Sequence, residues 1–181
     1  MIKKQDNQIF STNYQKVIKF LAAHPGSEYI EREVQEATGI SKAGVNKALR
    51  SLVADRLVEM EKKGRLSLYQ VDLKNPLIRQ IKVLINISEI DGLVVVLKNL
   101  GDKVILFGSA GAGTDSEDSD IDIFVLSNKP EAVRRAAQKI ATGRRVHLVV
   151  RKPLDYMTSK KKDKVFYNEV SRGIVIFERE Q

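Results

Sequence analysis

The sequence predicts a two-domain α/β protein, and three observations carry that prediction. Residues 11–55 hold three stretches of helical apolar spacing separated by glycine-containing turns, and two short β-type runs follow them. Asn75-Pro76 then breaks the pattern, because proline suits the first turn of a helix and restrains the residue before it. From residue 103 onward, β-type runs alternate with helical segments, as expected of a sheet flanked by helices.

Composition narrows the class. A chain of 181 residues makes one domain or two small ones, and 43% hydrophobic with 30% charged residues is enough for a core without staples. The absence of cysteine excludes a disulfide framework, a thiolate metal site and a thiol nucleophile. No window approaches the roughly 20 apolar residues needed to cross a bilayer, so the expectation is a cytoplasmic protein with no membrane partner. A net charge of +8 permits nucleic-acid binding, but the excess is shared equally between residues 1–75 and 76–181. Position, not total charge, has to decide.

In chain order, Ser11 or Thr12 caps a first helix with Val17, Ile18 and Leu21 on one face, and His24-Pro25-Gly26 ends it. Glu28-Tyr29-Ile30 reads as a short strand. A second helix runs from Glu31 to Thr38, Gly39-Ile40 turns the chain, and Ser41 caps a third helix reaching about Asp55. That helix has Val45, Ala48, Leu49 and Leu52 as its apolar stripe. Residues 57–61 and 66–71 pair as a hairpin around Lys62-Lys63-Gly64-Arg65.

With these features, residues 11–73 resemble the winged helix-turn-helix domains of bacterial and archaeal transcription regulators, and the run SKAGVNKALRSLVADRLVEMEKKGRLSLYQVD covers recognition helix and wing. The resemblance implies a DNA-binding domain over residues 1–75 with double-stranded DNA as partner. Lys42, Asn46, Lys47 and Arg50 lie off the apolar stripe of the third helix, and Lys62, Lys63 and Arg65 sit at the wing. Those seven residues are the candidate DNA contacts.

A helix from Pro76 to about residue 90 carries Leu77, Ile78, Ile81, Leu84 and Ile85 on a broad apolar face, so residues 76–90 read as a linker helix. The face needs a partner, either a neighbouring domain or a second subunit. A homodimer is the expectation carried forward. Asp91 is expected to cap the next helix, which Gly101 ends.

The rest of the chain is organised around Lys103 to Leu126, KVILFGSAGAGTDSEDSDIDIFVL. Two apolar runs flank a loop of Gly, Ser, Ala and Asp. Glycines at 108, 111 and 113 leave the backbone free for positive φ, so that successive N–H groups can converge on a phosphate, and Ser109 adds a hydroxyl. Strand alternation predicts Asp120 and Asp122 on one face. Paired carboxylates beside a phosphate-binding loop favour Mg²⁺ or Mn²⁺ bridging a nucleoside triphosphate.

Gly108-Ser109, Gly113 and Ser119-Asp120-Ile121-Asp122 are similar, in order and spacing, to the motif of minimal nucleotidyltransferases of the polymerase beta-like superfamily. The resemblance implies a mixed sheet flanked by helices over residues 91–181. It also implies Gly108, Ser109 and Gly113 as nucleotide contacts, Asp120 and Asp122 as catalytic metal ligands, and ATP as the triphosphate. Two positions depart from the pattern: Ala112 stands where minimal members carry Arg, and His147 where they carry a third carboxylate. His147 therefore enters as a candidate third ligand, although imidazole suits Zn²⁺, Cu²⁺ or Ni²⁺ better than Mg²⁺.

After Leu126, Pro130 opens a helix to about Ala141, and Arg145 to Val150 is the next strand. Pro153 begins a short helix, Lys160-Lys161-Lys162 reads as a solvated basic run, and residues 163–172 read as a helix with Val165, Phe166 and Val170 inward before a last strand from Ile174 to Glu178. Two functions follow. One is a DNA-binding nucleotidyltransferase that moves AMP from a metal-bound triphosphate to a hydroxyl of a small molecule or of a protein, such as a paired toxin. The other is a transcriptional regulator whose degenerate transferase domain acts as a nucleotide sensor or dimerisation module.

Overall fold

The computed structural model describes residues 8–180; residues 1–7 of the predicted first domain lie outside that range. The chain divides into two compact units, residues 1–82 and 83–181.

In the first unit, α1 (Asn13–Ala23) begins at a capping box: the Thr12 hydroxyl accepts from the Gln15 N–H, and the Gln15 side chain accepts from the Thr12 N–H. Helices α2 (Glu31–Thr38) and α3 (Lys42–Ala54) are joined at Gly39, whose φ of 68° closes α2 in the left-handed region. Ser41 caps α3 by accepting from the Gly44 N–H. The expected stripe Val45, Ala48, Leu49 and Leu52 is buried against Val17, Ile18 and Leu21 of α1. Each fully buried aliphatic side chain there contributes on the order of 1.5–3 kcal/mol relative to exposure.

Strand β1 (Tyr29–Ile30) pairs with β3 (Leu66–Gln70), which pairs with β2 (Glu59–Lys63), giving a three-stranded antiparallel sheet in the order β1-β3-β2. The hairpin starts later than residue 57. Asp55 and Arg56 turn the chain, with Arg56 at φ 57°, and the amides of Leu57 and Val58 close back onto the Leu52 carbonyl. Its tip is also tighter than expected: Lys62 and Lys63 pair with Ser67 and Leu66, leaving only Gly64 and Arg65 in the turn. Helix α4 (Pro76–Glu89) follows, and its Ile78 completes the first core.

The second unit contains the rest of α4, α5 (Asp91–Leu100), β4 (Lys103–Phe107), α6 (Gly108–Ala112), β5 (Ile121–Leu126), α7 (Pro130–Ala137), β6 (Val146–Arg151), α8 (Pro153–Lys162), α9 (Lys164–Ser171) and β7 (Ile174–Glu178). The sheet order is β6-β5-β4-β7. β4 is antiparallel to both neighbours, whereas β5 and β6 are parallel. A parallel pair needs a crossover, and α7 supplies it. On one face, Val104, Leu106, Ile121, Ile123 and Val125 pack with α5 and α7. On the other, Ile105, Phe107 and Phe124 pack with Tyr156, Phe166 and Val170 from α8 and α9. The result is a mixed sheet with helices on both faces.

Four local expectations are corrected. Residues 108–112 form one helical turn, not an open loop. Ile90, not Asp91, holds the cap position of α5, and Asp91 is that helix's first residue. Helix α7 ends at Ala137, because the amides of Lys139 and Ile140 bond three residues back to Ala136 and Ala137 and tighten the chain out of the α-helix. Val165 is 79% exposed, so α9 anchors through Phe166 and Val170. No helix among the described residues is long and apolar enough to cross a membrane.

Candidate active site

The site gathers where β4 ends. Phe107 pairs with Asp122 of β5, and Asp122 pairs in turn with His147 of β6, so the three residues form one row across the sheet. Gly108 continues the chain at φ 64°, a conformation that side-chain-bearing residues rarely adopt. A Cβ built on Gly108 would lie 2.5 Å from Asp122 Oδ2. Glycine thus lets the backbone and the carboxylate come almost into contact. Ser109 follows on α6 and is half-buried.

The other two glycines differ from expectation. Gly113 does take positive φ, at 66°, but its N–H donates to the Ser109 carbonyl, which also accepts from the Thr114 N–H at 3.0 Å. The Gly113 amide therefore closes the helical turn and does not point at an anion. Gly111 is small for packing reasons, since a Cβ there would lie 2.7 Å from the Leu106 carbonyl oxygen. Ala112 is exposed.

The acidic pair brackets the first residue of β5. β5 begins at Ile121, so Asp120 lies just before the strand, and its carboxylate is 3.5 Å from Arg145 Nε. That pair is largely solvent-exposed and holds Asp120 weakly. His147 Nδ1 is 2.8 Å from Asp122 Oδ1, a distance at which an N–H on Nδ1 donates to the carboxylate. The imidazole faces Asp122, as expected. Among the described residues no group of three His, Asp or Glu side chains is arranged to hold a metal ion.

The donor set nevertheless fits a hard cation in one respect. Asp120 and Asp122 offer oxygen ligands from either side of Ile121, and Mg²⁺ is commonly held by one or two carboxylates, with substrate phosphates and water completing its shell. His147 bonds Asp122 through Nδ1, and an imidazole nitrogen suits Mg²⁺ less well than a carboxylate oxygen does.

Beneath the loop lies a network that sequence reading missed. Asp115 is fully buried at its side chain, accepts from Arg144 Nη1 at 2.7 Å through Oδ2, and accepts from Asn86 Nδ2 at 3.0 Å through Oδ1. Asn86 also donates to the Ala110 carbonyl of α6 at 2.9 Å, and its Oδ1 accepts from Arg144 Nη2 at 2.6 Å. Arg144 reaches Glu89 and the Ser116 carbonyl as well. Burial alone would make the guanidinium easier to deprotonate; the hydrogen bond to Asp115 and the charges of Glu89 and Asp115 outweigh it, and the pKa is raised. Asp115 reads in the sequence as one more residue of the Gly, Ser, Ala and Asp loop, and no motif marks Arg144. No local spacing links positions so far apart.

In the first unit, Lys42, Lys47 and Arg50 are exposed along α3. Asn46, on the same face, donates to Glu31 Oε2 at 2.9 Å. Lys62 and Arg65 are exposed on the hairpin, whereas Lys63 turns to Glu28 at 2.9 Å. Five of the seven expected DNA contacts are thus presented to solvent without a partner drawn from the hairpin or from α2, and Asn46 and Lys63 are engaged by acidic neighbours.

Residues 95–181 match the family model described as polymerase beta, nucleotidyltransferase. No curated protein matches the chain significantly.

Proposed function

We propose that the polymerase beta-like nucleotidyltransferase domain of residues 95–181 transfers AMP from ATP to a hydroxyl group, in a protein whose first unit is a winged helix-turn-helix that binds double-stranded DNA. The observation that carries the transferase reading is the apposition of Gly108 and Asp122, with Asp120 one residue before the strand. It sets a glycine-serine backbone turn directly beside the Asp122 carboxylate, with Asp120 two residues earlier in the chain. Gly108 and Ser109 hold the triphosphate, and Asp120 and Asp122 hold Mg²⁺ or Mn²⁺.

A divalent ion bound there supplies neutralisation of the phosphate charge. In the reaction, the acceptor oxygen forms a bond to the α-phosphorus while the bond from that phosphorus to the α,β-bridging oxygen breaks. Pyrophosphate leaves with that electron pair, and the hydroxyl proton passes to water. His147, hydrogen-bonded to Asp122 at 2.8 Å, orients the carboxylate and is not a metal ligand in this reading. The acceptor is a hydroxyl on a protein, such as a paired toxin, or on a small molecule, and the chain acts as a homodimer.

The engagement of Asp122 by His147 and of Asp120 by Arg145 favours a second reading, in which the domain binds nucleotide without turning it over and serves a DNA-bound regulator as a sensor. Incubating the full chain with α-labelled ATP, Mg²⁺ or Mn²⁺ and candidate acceptors separates the two. Label transferred by the wild type and lost in Asp120→Asn supports the transferase. Metal-dependent ATP binding without transfer to any acceptor supports the sensor.

A further inference from the structure

We infer that Arg144, Asp115 and Asn86 form a clamp that positions the nucleotide and metal groups of the site, an inference that rests on the transferase-domain reading above. The seven residues from Thr114 to Asp120 contain no helix or strand, and among the described residues the Asp120 carboxylate is held by an exposed ion pair at 3.5 Å. Its position is therefore set by the loop behind it. The loop is fixed at two places. Ser119 accepts from the Ser116 N–H at 3.0 Å and closes the turn, and Asp115 is locked into the buried network.

The clamp touches the segments that carry the site residues. Asn86 holds the Ala110 carbonyl, next to Ser109; Asp115 and the Ser116 carbonyl belong to the loop that ends at Asp120; and Arg144 directly precedes Arg145, whose carbonyl accepts from the Ile121 N–H at 2.9 Å. One guanidinium thus ties α6, the loop and the start of β6 to α4. Each of its three nitrogens is used: Nε on Glu89, Nη1 on Asp115 and Ser116, Nη2 on Asn86. A lysine ammonium in its place is a point charge that cannot span this fork. Because a buried carboxylate demands a partner, loosening Arg144 releases the loop, not only one bond. Arg144 and Asp115 are positioning residues; neither lies in the row of Phe107, Asp122 and His147.

The test uses the full chain and Arg144→Lys, which keeps the charge and loses the fork. Two quantities are measured: the Kd for Mn²⁺ with ATP by calorimetry, and amide hydrogen exchange along the chain. The clamp predicts a Kd weakened about 10- to 100-fold, the range seen when groups that orient metal ligands are removed. It also predicts faster exchange in residues 109–121 and 144–147, with Val104, Leu106 and Ile123 as protected as in the wild type. Asp115→Asn is expected to give the same local pattern.

Three results overturn it: unchanged exchange in that segment, faster exchange throughout the second unit, or local loosening with unchanged Kd. The first denies the clamp, the second makes Arg144 a residue of general stability, and the third uncouples the clamp from the site. A wild type that fails to bind Mn²⁺ with ATP instead refutes the nucleotide site itself, and the clamp's positioning role falls with it.

Discussion

Gly108 is where one methyl group decides the most. Its Cβ would meet Asp122 Oδ2 at 2.5 Å in a backbone already at φ 64°, so Gly108→Ala must push the carboxylate aside as well as bear strain. The expected outcome is a folded protein with metal-dependent nucleotide affinity lowered at least tenfold, read by calorimetry beside a thermal melt. Asp122→Asn makes the complementary case. It keeps the shape, removes one of two neighbouring negative charges, and leaves a metal-free protein no less stable than the wild type. The wild type gains about 2.7 kcal/mol from a metal at a hundredfold excess over Kd, and the variant loses most of that gain. His147→Asp adds a carboxylate beside Asp122, and the expected result is higher Mg²⁺ affinity by the same titration.

Tyr14 offers a pH test at the same scale. Its phenol is pushed up to about 12, first by burial and then by the hydrogen bond it donates to Asp55. A raised pKa means that the fold favours the neutral phenol. That stabilisation is complete below about pH 10, the usual tyrosine value, and is lost as pH climbs toward 12. Ultraviolet titration of wild type against Tyr14→Phe is expected to remove the latest-ionising tyrosine.

At the level of elements, periodicity made most helices and strands legible. Helices α1, α2 and α3 and the stripe Val45, Ala48, Leu49 and Leu52 are legible because buried positions recur every three or four residues. Ser41 and Gly39 announced their own caps. What periodicity does not encode is contact between distant positions. Residues 108–112 show no apolar pattern, being Gly, Ser and Ala, so the turn of α6 leaves no periodic signal, and a short helix such as α9 offers Val165 two faces. The Asp115–Arg144 pair joins residues separated by 29 positions, which no local rule detects. Alternation did bring His147 to Asp122, and the apolar run from Ile121 to Leu126 is strand β5, with Asp120 one residue before it. For α3, the expectation is that Lys47→Ala with Arg50→Ala weakens binding to duplex DNA at low salt. Unchanged binding of the double variant in a fluorescence-anisotropy titration removes α3 from the interface.

The whole molecule joins two compact units along one chain, and its +8 charge is spread over both. DNA affinity that depends on Lys and Arg contacts to phosphate falls linearly with salt on logarithmic axes, and the slope counts those contacts. The residues proposed to hold nucleotide, by contrast, all lie in the second unit, as do Asn86, Asp115 and Arg144. A fragment spanning 76–181 therefore carries every group assigned to that site, and metal-dependent ATP binding by this fragment is the expected calorimetric result.

The central claim is that Gly108 and Ser109 on one side, and Asp120 and Asp122 on the other, hold a metal-bound triphosphate. Diffraction from crystals grown with Mn²⁺ and a non-hydrolysable ATP analogue, recorded at the manganese absorption edge, tests it most directly. The account predicts an anomalous peak at coordination distance from both carboxylates, with the triphosphate against Gly108 and Ser109 and with His147 still on Asp122. Manganese bound elsewhere, or a triphosphate seated away from Gly108 and Ser109, would contradict it.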